Sequence, residues 1–118
     1  MIQLSMITID TADPRALAAW WAERLGGEIA QDIDGWFCVV RAPEAPVALG
    51  FQKVAEPTPG KNRAHLDFDR TPDVDREAMV AEWVAAGAIH LGQRGDSDFT
   101  WDTFADPAGN EFCIGDPH

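Results

Sequence analysis

Apolar and β-branched residues alternate in part with polar ones from Ile2 to Asp10, which predicts a strand. The period then lengthens. In TADPRALAAWWAERLGG, Leu17, Trp20, Trp21 and Leu25 recur at helical spacing. Asp13 suits the N-cap, Pro14 the first helical position, and Gly26-Gly27 ends the run. Short strands are predicted over Glu28–Ile33, Trp36–Arg41 and Val47–Val54, with Asp34-Gly35 as the hairpin signal between the first two. A Pro/Gly-rich stretch, AEPTPGKN, follows. The same order then recurs. A strand is predicted over Arg63–Asp69, and a helix begins at Thr71-Pro72-Asp73 with Val80, Trp83 and Val84 on its apolar face and Gly87 after its end. Strands follow over Ala88–Gly92, Phe99–Ala105 and Glu111–Ile114, with a GDSD loop and a DPAGN turn between them.

Each half thus reads strand, helix, strand, strand, strand. MITID (6–10) aligns with HLDFD (65–69), and RAPEAPVAL (41–49) with ADPAGNEFC (105–113). One such half covers only one face of its sheet with a helix. Two halves can cover the other faces by curling around a shared concavity, which would be a ligand site. The predicted fold is α+β: two βαβββ modules, 1–55 and 62–118, in a curled and partly open mixed barrel with the two helices outside.

Composition narrows the function. A chain of 118 residues fits one domain, and 46% hydrophobic residues with five tryptophans and six phenylalanines supply a core. Twenty acidic against nine basic residues give a net charge of −11. That disfavours nucleic acid and anionic membrane surfaces, both of which require a basic face. Cys38 and Cys113 are isolated within apolar runs and read as small buried hydrophobes. The N-terminal residues have no signal-peptide pattern and no run is long enough to span a bilayer, so a cytoplasmic location is expected.

DTADPRALAAWWAERLGGE, KNRAHLDF and WDTFADPAGNEFCI, in this element order, resemble the vicinal oxygen chelate superfamily, the glyoxalase and bleomycin-resistance fold, and within it the small glyoxalase-like domain proteins. The resemblance covers nearly the whole chain. It implies a small-molecule site in the concavity, and a homodimer is in keeping with it. In active relatives it also implies a divalent metal held by His, Gln or Glu from the first and last strands of each half. Those positions fall here on Met6, on Leu49 (or Phe51 with a shifted register), on His65 and on Cys113. A thioether and an aliphatic side chain do not serve a borderline or hard ion. No metal or other cofactor is therefore expected.

His65, Asp67 and Asp69 alternate on one strand face. A His with an Asp two residues on has the chemistry of a general base oriented by a carboxylate. Glu111 shares a face with Cys113, one strand period before it, and is a second candidate acid or base. Arg63, in the basic island Lys61-Asn62-Arg63, has the fork geometry that clamps carboxylates. Trp36 and Trp101 can stack on a flat ligand. The expected ligand contacts are accordingly Met6, Trp36, Arg63, His65, Trp101 and Cys113, and the catalytic candidates are His65, Asp67 and Glu111. Two functions fit: metal-independent binding of an aromatic or anionic small molecule, or a lyase or isomerase reaction run by His65 with Asp67 or Glu111.

Overall fold

The computed structural model of the protein describes residues 1–117. It consists of two compact units, Met1–Pro59 and the chain from Gly60 onward. The first unit contains β1 (Met6–Thr11), α1 (Pro14–Arg24), β2 (Glu28–Ile33), β3 (Phe37–Arg41) and β4 (Ala48–Lys53). The second contains β5 (Leu66–Asp69), α2 (Arg76–Ala85), β6 (Ile89–Gly95), β7 (Thr100–Ala105) and β8 (Glu111–Gly115). The protein is α+β, with two four-stranded mixed sheets ordered β1-β4-β3-β2 and β5-β8-β7-β6, neither closed on itself. In each sheet the first strand pairs in parallel with the last, and the other pairings are antiparallel. Among the described residues no helix is long and apolar enough to cross a membrane.

In the first unit the Asp13 side chain accepts the Ala16 amide at 3.2 Å, which caps α1, and Pro14 follows at the first helical position. Leu17 and Trp21 are buried with Cys38, Val40, Leu49 and Phe51. Trp20 lies at the boundary, edge-on to Trp21 with ring centroids 5.0 Å apart. Asp34 (φ 49°) and Gly35 (φ 73°) both take the left-handed conformation, in a tight turn where Trp36 N–H donates to the Ile33 carbonyl at 2.8 Å.

Four element boundaries differ from the sequence expectation by more than one residue. β1 begins at Met6 rather than Ile2, because Met6 is already opposite Ala48, the first residue of its partner. β5 begins at Leu66 rather than Arg63. α2 begins at Arg76, capped by Asp75, whose side chain accepts the Ala78 amide at 2.9 Å. Thr71-Pro72-Asp73 instead makes a turn in which Val74 N–H donates to the Thr71 carbonyl. β6 runs on through Gly92 to Gly95, with a bulge between His90 and Gly92.

The helix side of the second sheet carries Phe104 and Phe112, stacked at 5.4 Å, with Trp83 of α2 5.4 Å from Phe112. Among these rings lies a buried carboxylate. Asp102 is 2% exposed and accepts two hydrogen bonds from Arg76, at 2.7 and 3.0 Å, and one from His90 Nε2 at 2.8 Å. His90 is half-buried and held on this carboxylate. Burial pushes the Asp102 carboxyl up, but the bonds and charges of Arg76 and His90 outweigh it and hold it below the ordinary carboxylate value.

Candidate ligand-binding site in the second module

The opposite face of the second sheet is where the candidate chemistry collects. β5 and β8 run parallel with Asp67 opposite Cys113 and Asp69 opposite Gly115. On the antiparallel side Trp101 is opposite Gly115 and Thr103 opposite Cys113, while Arg94 of β6 is opposite Trp101. Strand alternation therefore sends Asp67, Asp69, Trp101, Thr103, Glu111 and Cys113 to the side away from Phe104 and Phe112. Together with Lys61, His65, Arg94 and Phe99 they line a cavity of about 530 Å³. The Phe99 and Trp101 rings are 6.3 Å apart at an interplanar angle of 35°. Gly115 makes room for them, since a Cβ there would lie 3.0 Å from Phe99 Cζ.

His65, Asp67 and Cys113 meet on this face. His65 Nδ1 and Asp67 Oδ1 are 2.8 Å apart, and the donor atoms of all three residues lie within 4.8 Å of one another. Cys113 Sγ is also 3.6 Å from Thr103 Oγ1. Burial pushes the Cys113 thiol up; Thr103 opposes this and the Asp67 carboxylate adds to it, so at neutral pH the sulfur keeps its proton.

Asn62 explains why the site can begin before β5 does. Its Nδ2 donates to the carbonyls of Ala64 (2.7 Å) and Glu111 (2.9 Å), and its Oδ1 accepts the Glu111 amide at 2.8 Å. One side chain thus continues the β5–β8 ladder and holds the segment carrying His65 against β8. Asn62→Ala removes three hydrogen bonds from a partly exposed position and is expected to cost about 2 kcal/mol. Chemical denaturation measures that loss, and hydrogen exchange should show reduced protection at the Glu111 amide.

Of the expected site residues, His65, Asp67, Glu111, Trp101 and Cys113 all line this cavity. Arg63 is exposed and does not; the cations at the cavity are Lys61 and Arg94. Met6 and Trp36 belong to the first module and do not line it. Trp36 is 61% exposed, with Lys53 Nζ 5.5 Å from its ring centroid. Arg94 was missed because Gly92 and Gly95 read as the end of a strand and the start of a loop; Phe99, two residues before Trp101 on the same predicted strand, was within reach of the alternation. The one available signal was that Arg94 and Trp101 flank a short loop and so can face each other.

The residues do not fit the four-donor divalent centre implied by the resemblance. Thr8 pairs with Gly50 as Asp67 pairs with Cys113, so the first-module counterpart of Cys113 is Gly50, not Leu49. Leu49 and Phe51 are buried, and strand alternation sets them on the other face from Gly50. Gly50 carries no donor, and a Cβ there would lie 2.6 Å from Met6 Sδ and 2.9 Å from both Phe37 Cζ and Thr8 Oγ1, so these side chains fill the space a ligand would take. The first module offers a thioether and a hydroxyl on this face where two strong donors are needed.

A profile described as a glyoxalase-like domain matches residues 6–115. No curated protein matches the chain. Among solved structures, a glyoxalase-related enzyme from Fulvimarina pelagi is 16% identical with a TM-score of 0.75, over 99% of this chain and 89% of that one. A glyoxalase/bleomycin resistance protein/dioxygenase family enzyme from Burkholderia phytofirmans PsJN is 22% identical with a TM-score of 0.74, over 95% of this chain and 96% of that one. A lactoylglutathione lyase from Agrobacterium tumefaciens is 14% identical with a TM-score of 0.71, over 97% and 92% of the two chains. At these identities the solved structures establish the fold alone.

Proposed function

The chain belongs to the glyoxalase-like domain family, within the vicinal oxygen chelate superfamily, and on that premise we propose that its second module binds a small planar organic anion without the superfamily's usual divalent ion. The observation that carries this reading is the pairing of cations with rings in one cavity. Lys61 and Arg94 line it beside Phe99 and Trp101, and among the described residues neither cation takes part in an ion pair. The same cavity also carries Asp67, Asp69 and Glu111, so the two cations, neither of them ion-paired, supply a local anion contact beside the rings rather than a basic cavity. A guanidinium grips a carboxylate with two parallel hydrogen bonds, and the indole and phenyl faces accept a flat ring. The cavity volume is in the range of small-molecule sites.

Calorimetric titration with a panel of aromatic carboxylates tests the reading. Arg94→Ala is expected to weaken binding about tenfold, the loss of a charged hydrogen-bond pair at a partly solvated position. Trp101→Ala is expected to weaken it at least as much. Affinity that is unchanged in both variants contradicts the assignment.

A second reading rests on the 2.8 Å contact between His65 Nδ1 and Asp67 Oδ1. With Nδ1–H donating to the carboxylate, a neutral His65 ring keeps its lone pair on Nε2, the arrangement of a general base. This supports lyase or isomerase chemistry on the bound molecule, with Glu111 as a second carboxylate at the cavity. His65→Ala is then expected to abolish turnover while leaving binding intact. Retained turnover in that variant removes this reading and leaves the binding function untouched.

A further inference from the structure

We propose that the carboxylate ligand of this cavity is amphoteric: a flat ring whose carboxylate meets Arg94 and whose opposite end carries an ammonium or amidinium group that meets Asp67. This rests on the anion-binding reading above and narrows it to a class of molecule. The starting point is the charge of the cavity wall. Asp67, Asp69 and Glu111 stand there against Lys61 and Arg94. A molecule whose only charge is negative is repelled by the three carboxylates over the same short range at which the cations attract it. A ligand with one charge of each sign satisfies both groups.

Strand register sorts these charges by position. The sheet runs β5-β8-β7-β6. One row across it reads Asp69, Gly115, Trp101, Arg94, and the next reads Asp67, Cys113, Thr103, Gly92. The acids therefore occupy the β5–β8 flank and the guanidinium starts from the far edge strand. Trp101 lies between them, with Phe99 beside it. Lys61 adjoins Asn62, which is bonded to the Glu111 backbone, so it belongs to the acidic flank. Gly92 leaves room for the Arg94 side chain to lie back along β6: a Cβ there would be 3.9 Å from Arg94 Nη1. The cation is thereby brought level with the row that ends in Asp67.

The spacing sets the size of the molecule. Adjacent strands are about 4.8 Å apart, so β5 and β6 are about 14 Å apart, and the reach of the two side chains shortens the gap to roughly 10–12 Å. A single ring with charged groups at opposite ends, extended by a hydrogen bond of about 2.9 Å at each, covers that distance. Asp67 has capacity for the cationic end. It is exposed, its Oδ1 is engaged with His65 at 2.8 Å, and a carboxylate has acceptor sites on both oxygens.

The test is calorimetric titration of the full-length protein with three probes of one shape. Para-(aminomethyl)benzoate carries both charges, para-ethylbenzoate the carboxylate alone, and para-isopropylbenzylamine the ammonium alone. In the wild-type protein the doubly charged probe is expected to bind about fivefold more tightly than para-ethylbenzoate, although the latter is the more apolar. Asp67→Asn should remove that preference while leaving para-ethylbenzoate bound at least as tightly as before. Arg94→Ala should weaken both carboxylates. The wild-type comparison needs no variant, so poor folding of either one leaves the test intact. Para-ethylbenzoate binding as tightly as the doubly charged probe, or a preference that survives Asp67→Asn, would overturn the amphoteric assignment and leave the anion-binding reading standing. Binding of neither carboxylate, or of the amine alone as tightly as the doubly charged probe, would overturn both.

Discussion

Arg76→Ala is expected to destabilise the protein by about 3 kcal/mol, the low end of what breaking a buried ion pair costs. Asp102 is the reason. Its carboxylate is 2% exposed and accepts three hydrogen bonds, two of them from Arg76. Deleting the guanidinium leaves a buried charge with His90 as its remaining partner. The low end applies because Arg76 is itself 30% exposed, so its removal admits some water. For a chain of this length the melting temperature should fall by about 10 °C. The effect has a pH signature. The Asp102 carboxyl is held below its ordinary value in the folded state, so its contribution is fully present above the unfolded carboxylate value, about 3.9. It is lost as pH falls through the depressed folded value. The stability gap between wild type and Arg76→Ala should therefore narrow below about pH 4, measurable by thermal melts across an acid series. A gap independent of pH would place the effect of Arg76 in packing rather than charge.

Asp106→Ala is expected to cost about 3 kcal/mol as well, through the turn that feeds β8. The Asp106 side chain is 1% exposed. Its Oδ1 accepts the backbone amides of Ala108 (3.0 Å) and Asn110 (2.9 Å), and both its oxygens accept from Asn110 Nδ2. Pro107 fixes one backbone angle of the turn, and Gly109 takes φ 89°. Alanine leaves these donors without their acceptor in a site too enclosed for full hydration. Asp106→Asn keeps one acceptor oxygen and should cost much less. Urea denaturation should show a lower midpoint for the alanine variant with an unchanged slope. Because β8 carries Glu111 and Cys113, the same variant should also loosen the second-module site.

Both predictions concern residues whose visibility in the sequence differs. Asp106 belongs to a local motif, DPAGN, where acceptor, proline and glycine are adjacent and the turn is legible directly. Asp13-Pro14 before α1 and Asp34-Gly35 between β2 and β3 are legible for the same reason. The Arg76–Asp102–His90 cluster is not, because its partners are brought together by β6–β7 pairing and the placement of α2. The start of α2 was misread since Thr71, Asp73 and Asp75 are all good caps, and only packing selects among them.

The first-module register shows a different limit. Ala48, Leu49, Gly50 and Phe51 are all buried, so β4 has no polar–apolar alternation to fix its phase. A slip of one residue exchanges the two faces of a strand. That slip is what put Leu49 rather than Gly50 at the position equivalent to Cys113. In the second module, HLDFD alternates clearly and puts His65 and Asp67 on one face, as the spacing indicated; Cys113 meets them and Glu111 lines the same cavity through the β5–β8 pairing, which spacing alone does not show. Arg94 was hidden by two flanking glycines that read as breakers but form a bulge and a strand end.

The central claim is that the second module takes an organic anion without the usual divalent ion. It is tested most directly by calorimetry on chelator-treated protein, titrating an aromatic carboxylate with and without added Mn²⁺ or Ni²⁺. Saturable binding of one molecule per chain, with the same affinity in both conditions, is the expected result. Binding that appears only once the metal ion is restored would contradict it.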